Sequence, residues 1–349
     1  MPHVDLRDVC VLAPNFKRRL SGVTSTIIQL VPVQNRLGQK IAVIGPGLPD
    51  NLPSVRFRDL WRLWQNGPAR KPRVWHARRN IEMLPAIIMR DILRMKLKIV
   101  FTSASQRRHT GWTKFLISKM DGVIATNSQT ATYLDVPSTV IMHGIDTDRF
   151  SPPAVKSQAK AARGLDPQRK YAGCFGRIRH QKGTDLFVDT MIRVLPDYPQ
   201  WSAIVAGRAT GPHVEFENGL KDKVRTAGLA DRILFVGEHT NINEWYRALD
   251  LFIAPQRWEG FGLTPLEAMS TGVPVIATDV GAFPELVREG ETGTIIGRDN
   301  LDAMVEATKN VFSDPAMMQH RSAAARRTTA ENFALEGEAR SLGEIYVRV

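Results

Sequence analysis

Glu259-Gly260-Phe261-Gly262-Leu263-Thr264-Pro265-Leu266-Glu267 sets two carboxylates eight positions apart, across a glycine-bearing loop and the start of a helix. Thr264 is expected at the N-cap, Pro265 in the first turn, and Glu267 as the far member of a T-x-x-E capping box. Just before it, the apolar run Leu251-Phe252-Ile253-Ala254 ends in Pro255, as a buried parallel strand does. The stretch therefore reads strand, loop, helix. It sets backbone N–H groups and both glutamates at the carboxyl edge of a parallel sheet, where open α/β folds bind ligands. A plainer reading stands beside it, in which Glu267 serves only its helix and Glu259 is a solvated loop charge.

The flanking sequence repeats the pattern. Residues 171–175 read as a strand, followed by the basic loop Gly176-Arg177-Ile178-Arg179-His180-Gln181-Lys182-Gly183 and a helix to about residue 195 that Thr184 is expected to cap. Arg177 and Lys182, at a strand-to-helix turn, could neutralise a diphosphate without a metal. A solvated basic loop is the alternative. Further strands are expected at 202–206, 233–236, 273–277 and 294–296 with helices between, which makes right-handed βαβ units and a parallel sheet.

The first half shows the same alternation, with strands expected at 9–13, 41–44, 74–77, 99–102, 123–126 and 139–142 and a helix at 81–97. After the first strand come a basic loop over 15–20 and Ser21-Gly22 ahead of an amphipathic segment. Gly22 there suits an anion cradle or a plain turn. His109, in the polar loop after 99–102, is a candidate general base or a surface histidine without a role. A chain of 349 residues exceeds one ordinary core. The reading is two doubly wound, Rossmann-like α/β domains with a cleft between them. The first covers 1–155 and the second 165–325, joined by a linker over 152–168. A helical tail, 326–349, is expected to pack back on the first domain.

Apolar content of 43% and charged content of 23% are ordinary globular values. Cys10 and Cys174 sit singly in apolar runs and read as buried thiols in a reducing compartment. The charged start and the lack of an apolar run near 18 residues predict a protein made and kept in the cytoplasm. Residues 1–150 hold 23 Lys and Arg against 10 Asp and Glu, and the remainder 24 against 25, so all the excess basicity lies in the first half. That asymmetry points to an acidic partner. Its focus is 56–79, where Arg56, Arg58, Arg62, Arg70, Lys71, Arg73, Arg78 and Arg79 mix with Phe57, Trp61, Trp64 and Trp75. An anionic membrane interface, single-stranded nucleic acid, and a partly packed loop all fit this mixture.

Taken together, Gly176-Arg177 with Lys182-Gly183, the E-x7-E from Glu259 to Glu267, and Ser270-Thr271-Gly272-Val273-Pro274-Val275-Ile276-Ala277 resemble the retaining glycosyltransferases of the GT-B fold, family four. Ile141-Met142-His143-Gly144-Ile145-Asp146 and Glu289-Gly290-Glu291-Thr292-Gly293 extend the likeness, and lipopolysaccharide core mannosyltransferases are the members that the chain looks most like. The resemblance implies that Arg177 and Lys182 hold the diphosphate of a nucleotide-diphospho-sugar, Glu259 the sugar hydroxyls and Glu267 the ribose. Gly22, Gly176 and the backbone around Phe261, Gly262 and Leu263 would meet sugar and phosphate. It implies a metal-independent transfer with retention, no cofactor beyond the nucleotide-sugar substrate, and GDP-mannose as first choice of donor. The acceptor would be an anionic lipid-linked glycan at the inner face of the cytoplasmic membrane, with no nucleic-acid partner.

Three departures from the family pattern stand out. Ser21 takes the place of a glycine, Ser103-Ala104-Ser105 the place of a histidine, which puts a catalytic role for His109 in doubt, and His143 the place of an asparagine. An epimerase or phosphorylase of the same fold, and a basic nucleic-acid binder, are the competing readings.

Overall fold

The computed structural model describes residues 2–18 and 22–349; Arg19, Leu20 and Ser21, which carry part of the expected anion cradle, lie outside the described residues. The chain divides into two compact units, one of residues 1–144 with 335–349 and one of 145–334.

In the first unit six parallel strands, β1 (Val11–Pro14), β2 (Ile41–Ile44), β3 (Arg73–Ala77), β4 (Leu97–Ser103), β5 (Gly122–Ala125) and β6 (Thr139–Val140), lie in the order β2-β1-β3-β4-β5-β6. Neighbouring side chains along β1 to β5 enter opposite cores, while both residues of β6 are exposed. Leu12, Trp75, Ile99 and Phe101 pack on one face, and Val11, Val74, Val100 and Ile124 on the other. Burial on both faces is what turns these strands into continuous apolar runs rather than alternating ones. Leu335, Ala339, Leu342 and Ile345 of the last helix, Leu335–Arg348, join Ile27, Leu30 and Val31 of the helix Gly22–Arg36 over the second face.

The second unit holds β7 (Lys170–Phe175), β8 (Trp201–Ala206), β9 (Ile233–Gly237), β10 (Leu251–Ala254), β11 (Val275–Thr278) and β12 (Gly293–Ile296), all parallel, in the order β12-β11-β10-β7-β8-β9. Strand order reverses between β7 and β10. The loops leaving the carboxyl ends of those two strands therefore diverge around a switch point, where such sheets bind ligands.

Several expectations need correction. The 152–168 stretch contains a helix, Lys156–Ala161, whose Lys160 reaches Asp250 at 2.9 Å, so it is built into the second unit and the division falls ahead of it, after Gly144. The tail breaks after Asn332, so that Pro315–Asn332 stays with the second unit and only residues 335–349 return to the first. The helix expected over 81–97 is Asn80–Ile87 followed by a wider π-type turn, Ile88–Ile92, because strand β4 already starts at Leu97. Trp75 is fully buried under β3 and donates its indole N–H to Glu82 O, so it is core rather than interface. Cys10 is half-buried instead of buried. No helix among the described residues is long and apolar enough to cross a membrane.

Candidate functional site

The β7 loop tightens into a single turn, His180–Lys182, and closes on Gly183, which adopts φ +68 and ψ 20 at the start of the helix Thr184–Val194. Gly183 rather than Thr184 is the N-cap, with no side-chain cap. Here the left-handed backbone and the close approach of a neighbouring chain demand glycine: a Cβ would stand 1.8 Å from the carbonyl oxygen of Pro255, at the end of β10. The two loops are thus nested by their backbones. Arg257 stitches them further, donating to Asp185 through two nitrogens at 2.7 and 2.9 Å and to the carbonyl of His180 at 2.6 Å. A bidentate pair of this kind fixes orientation as well as distance.

That nesting brings Lys182 onto Glu259. The Lys182 ammonium pairs with Glu259 Oε2, and Glu259 Oε1 accepts the Gly260 N–H at 3.1 Å. Glu259 is therefore no idle loop charge, and Lys182 is no free cation. Gly262, at φ +87, has no room for a side chain either, since a Cβ would meet Phe283 Cε1 at 2.3 Å and Glu259 Cγ at 2.7 Å. Phe261 is buried, and Leu263 O accepts the Glu267 N–H at 2.9 Å, opening the helix Thr264–Ser270.

The expected capping box is absent. Leu263 occupies the N-cap, Thr264 Oγ1 is buried without a hydrogen-bond partner, and Pro265 keeps its place in the first turn. Glu267 instead turns to Tyr246, whose hydroxyl donates to Glu267 Oε2 at 2.8 Å. Burial pushes the Glu267 carboxyl up, against the opposing pull of the Tyr246 hydrogen bond and Arg149. The Tyr246 phenol lies well above its ordinary value, through burial and then the Glu267 charge.

A carboxyl raised on folding makes the protein lose stability as pH climbs through its folded pKa. Glu267→Gln should therefore melt above the parent at neutral pH, with a gap that closes as the pH falls toward about 4. Thermal melting across that range checks it, and a variant less stable than the parent at neutral pH would contradict it.

Among the remaining residues expected at a site, Arg177 is exposed and makes no ion pair among the described residues, at the mouth of the loop behind Gly176. Gly176 has φ +135, and Gly207 approaches its carbonyl so closely that a Cβ there would stand 1.9 Å away. Gly22 and His109 belong to the first unit. A side chain at Gly22 would meet nothing within 4 Å. His109 Nε2 is buried without a partner, and burial followed by Arg107 lowers its imidazole pKa.

Sequence reading missed a second polar cluster, at the carboxyl edge of the first sheet. Fully buried Glu82 accepts from Arg79 at 2.7 Å and from the Arg78 N–H at 2.8 Å, while Arg79 also donates to Asn15 Oδ1 at 2.8 Å and Thr24 Oγ1 at 3.1 Å. His76 is locked between Tyr346 and Thr102, at 2.7 Å each, and burial holds it well below its usual pKa. Glu338, also buried, accepts from the Gly144 N–H at 2.7 Å and pairs with His143 at 2.8 Å, which gives His143 a structural use. No group of three or more His, Cys, Asp or Glu suited to a metal occurs among the described residues.

Residues 155–328 match the family model for glycosyl transferases group 1. The chain is 70% identical, over 98% of both chains, to the lipopolysaccharide core biosynthesis mannosyltransferase LpsB of Rhizobium meliloti (strain 1021). It is 53% identical to the lipopolysaccharide core biosynthesis mannosyltransferase LpcC of Rhizobium leguminosarum bv. viciae, over 98% of this chain and 97% of that one. In fold it is similar to Anabaena HepE in complex with UDP, with a TM-score of 0.83 at 18% identity, covering 97% of this chain and all of that one.

Proposed function

The chain belongs to the group 1 glycosyl transferases, with their two-domain GT-B architecture, and from that premise we propose that it transfers mannose from GDP-mannose to a hydroxyl of a lipid-linked lipopolysaccharide core glycan, with retention. The observation that carries the reading is the Lys182–Glu259 pair, set by two nested loops at the switch point of the second sheet. Two relatives that are similar over nearly their whole length and carry the name of core mannosyltransferase support the choice of sugar and acceptor. The epimerase, phosphorylase and nucleic-acid readings gain nothing from these matches.

In this reading the ion pair is a placeholder. An arriving diphosphate draws Lys182 toward its oxygens, joined by Arg177, and Glu259 is released to accept hydrogen bonds from the sugar hydroxyls. Glu267, steadied by Tyr246, takes the ribose hydroxyls, and the backbone from Phe261 to Leu263 lies along sugar and phosphate. Breaking the anomeric bond leaves negative charge on the departing diphosphate, and preorganised cations stabilise it as it develops, without a metal or a cofactor. The acceptor hydroxyl attacks from the same face and passes its proton to the leaving phosphate, so the configuration is kept. The enzyme works as a peripheral protein on the inner face of the cytoplasmic membrane, where the anionic acceptor is found.

A panel of nucleoside diphosphates tests the donor side. GDP should raise the melting temperature by mass action more than UDP or ADP does, and Glu267→Gln should erase most of that protection. Absence of protection by every nucleotide would sink the reading.

A further inference from the structure

The helix Asn80–Ile87 and the π-type turn that continues it have two apolar faces. Met83, Ala86 and Met89 enter the core of the first unit. On the other side stand Ile81, Leu84, Ile88 and Ile92, spaced by three and four residues and between 38% and 70% exposed. Such spacing places all four on one side of the helix, so of its two apolar faces only one is covered. Single exposed aliphatics are ordinary, but a contiguous stripe marks an interaction surface.

Exposed apolar side chains also stand on the elements tied to the two ends of the stripe. Asn80 Nδ2 donates to Thr113 Oγ1 at 2.7 Å, which ties it to the helix Gly111–Ser118, where exposed Trp112 and Phe115 stack with ring centroids 5.7 Å apart. At the far end the Trp64 indole N–H donates to Leu93 O at 2.7 Å, and both side chains are exposed. Cations border this surface: Arg94 and Lys96 beyond the π-type turn, and Lys119 over the Phe115 ring, all exposed. The nearby acids are already paired, Asp91 and Asp121 with Arg90, and Asp135 with Lys114.

We propose that this face of the first unit docks on an anionic phospholipid surface. Ile81, Leu84, Ile88 and Ile92 enter the boundary between headgroups and acyl chains, Trp64, Trp112 and Phe115 lie at headgroup level, and the bordering lysines and arginines meet lipid phosphates. Charge decides the occupant: a second copy of the chain would oppose one positive border to another, whereas an anionic bilayer complements it. The proposal rests on the reading of a lipid-linked acceptor and narrows it. The contact is made by an apolar helix face with a basic border, and the basic 56–79 stretch adds Trp64 at its edge.

Sedimentation with phosphatidylcholine vesicles, with and without phosphatidylglycerol, tests it on the full chain. Binding should need the anionic lipid and weaken with salt. The triple substitution Leu84→Gln, Ile88→Gln and Ile92→Gln alters exposed positions only, so melting should stay unchanged while the vesicle partition falls at least about tenfold. Arg94→Gln with Lys96→Gln should weaken binding to anionic vesicles alone. GDP protection, unaffected in both variants, separates failure of this surface from failure of the donor site. Undiminished vesicle binding by the triple variant would overturn the proposal. So would sedimentation equilibrium showing a parent dimer that the triple variant loses, which would make the stripe a subunit interface.

Discussion

Lys182→Met should lower kcat for sugar transfer by about 10³-fold while leaving the fold intact, because it deletes a preorganised cation aimed at charge that grows during the reaction. Methionine keeps the length and apolar stem of lysine. What it removes is the ammonium that pairs with Glu259 across the nested loops. The pair is part-buried, with both side chains about one-fifth exposed, so removing the ammonium leaves the Glu259 carboxylate without its partner and costs folding about 1–3 kcal/mol, less than the loss expected in catalysis. Melting temperature and activity should therefore part company. Glu259→Gln in the same background should add little further loss of stability, since either change already breaks the placeholder pair of the free enzyme. Urea denaturation of the two single variants and the double one checks this. Additive losses would mean that Lys182 and Glu259 are not coupled in the free enzyme.

Gly183→Ala should be among the most damaging single substitutions in the second unit. Its Cβ would lie 1.8 Å from the Pro255 carbonyl oxygen, a backbone atom that cannot step aside without moving β10. Gly164 provides the control, as it shares the left-handed backbone at φ +70 but has nothing within 4 Å of its Cβ position. Gly164→Ala should cost about 1 kcal/mol, for backbone conformation alone. Gly183→Ala should cost about 3–5 kcal/mol, adding the steric collision, and should take GDP protection with it. Urea denaturation of both variants gives the comparison. Equal losses would show that the nesting of the two loops is not under steric control.

The fold was legible because its cause is local. Twelve short apolar runs, separated by helical segments, correspond to the twelve strands among the described residues, with ends displaced by no more than two residues, as at 9–13 against Val11–Pro14. Burial of a parallel sheet on both faces writes itself into the inner strands, while the edge strand β6 is exposed. Strand order is a different matter. The switch point between β7 and β10 follows from crossovers that no stretch of sequence spells out.

The candidate residues could be named from the sequence, but their partners could not. Glu259, Lys182 and Gly262 could be picked out from their spacing, yet the contact between Lys182 and Glu259 joins positions 77 apart, and that between Tyr246 and Glu267 spans 21. Arg257 carried no signal at all, since its worth lies in Asp185 on another loop. The capping box failed for the same reason: local pattern offered Glu267 a backbone partner, and the fold supplied a buried tyrosine instead. Trp75 shows the converse, a residue grouped by neighbours in sequence with a basic surface and drawn by β3 into the core.

Incubation of the purified chain with labelled GDP-mannose and a lipid-linked core acceptor, followed by analysis of the anomeric configuration of the product, tests the central claim most directly. The account predicts label in the acceptor through an α-linkage, as in the donor, without added metal and lost with Lys182→Met. Transfer undiminished by Lys182→Met, or a β-linked product, would contradict it.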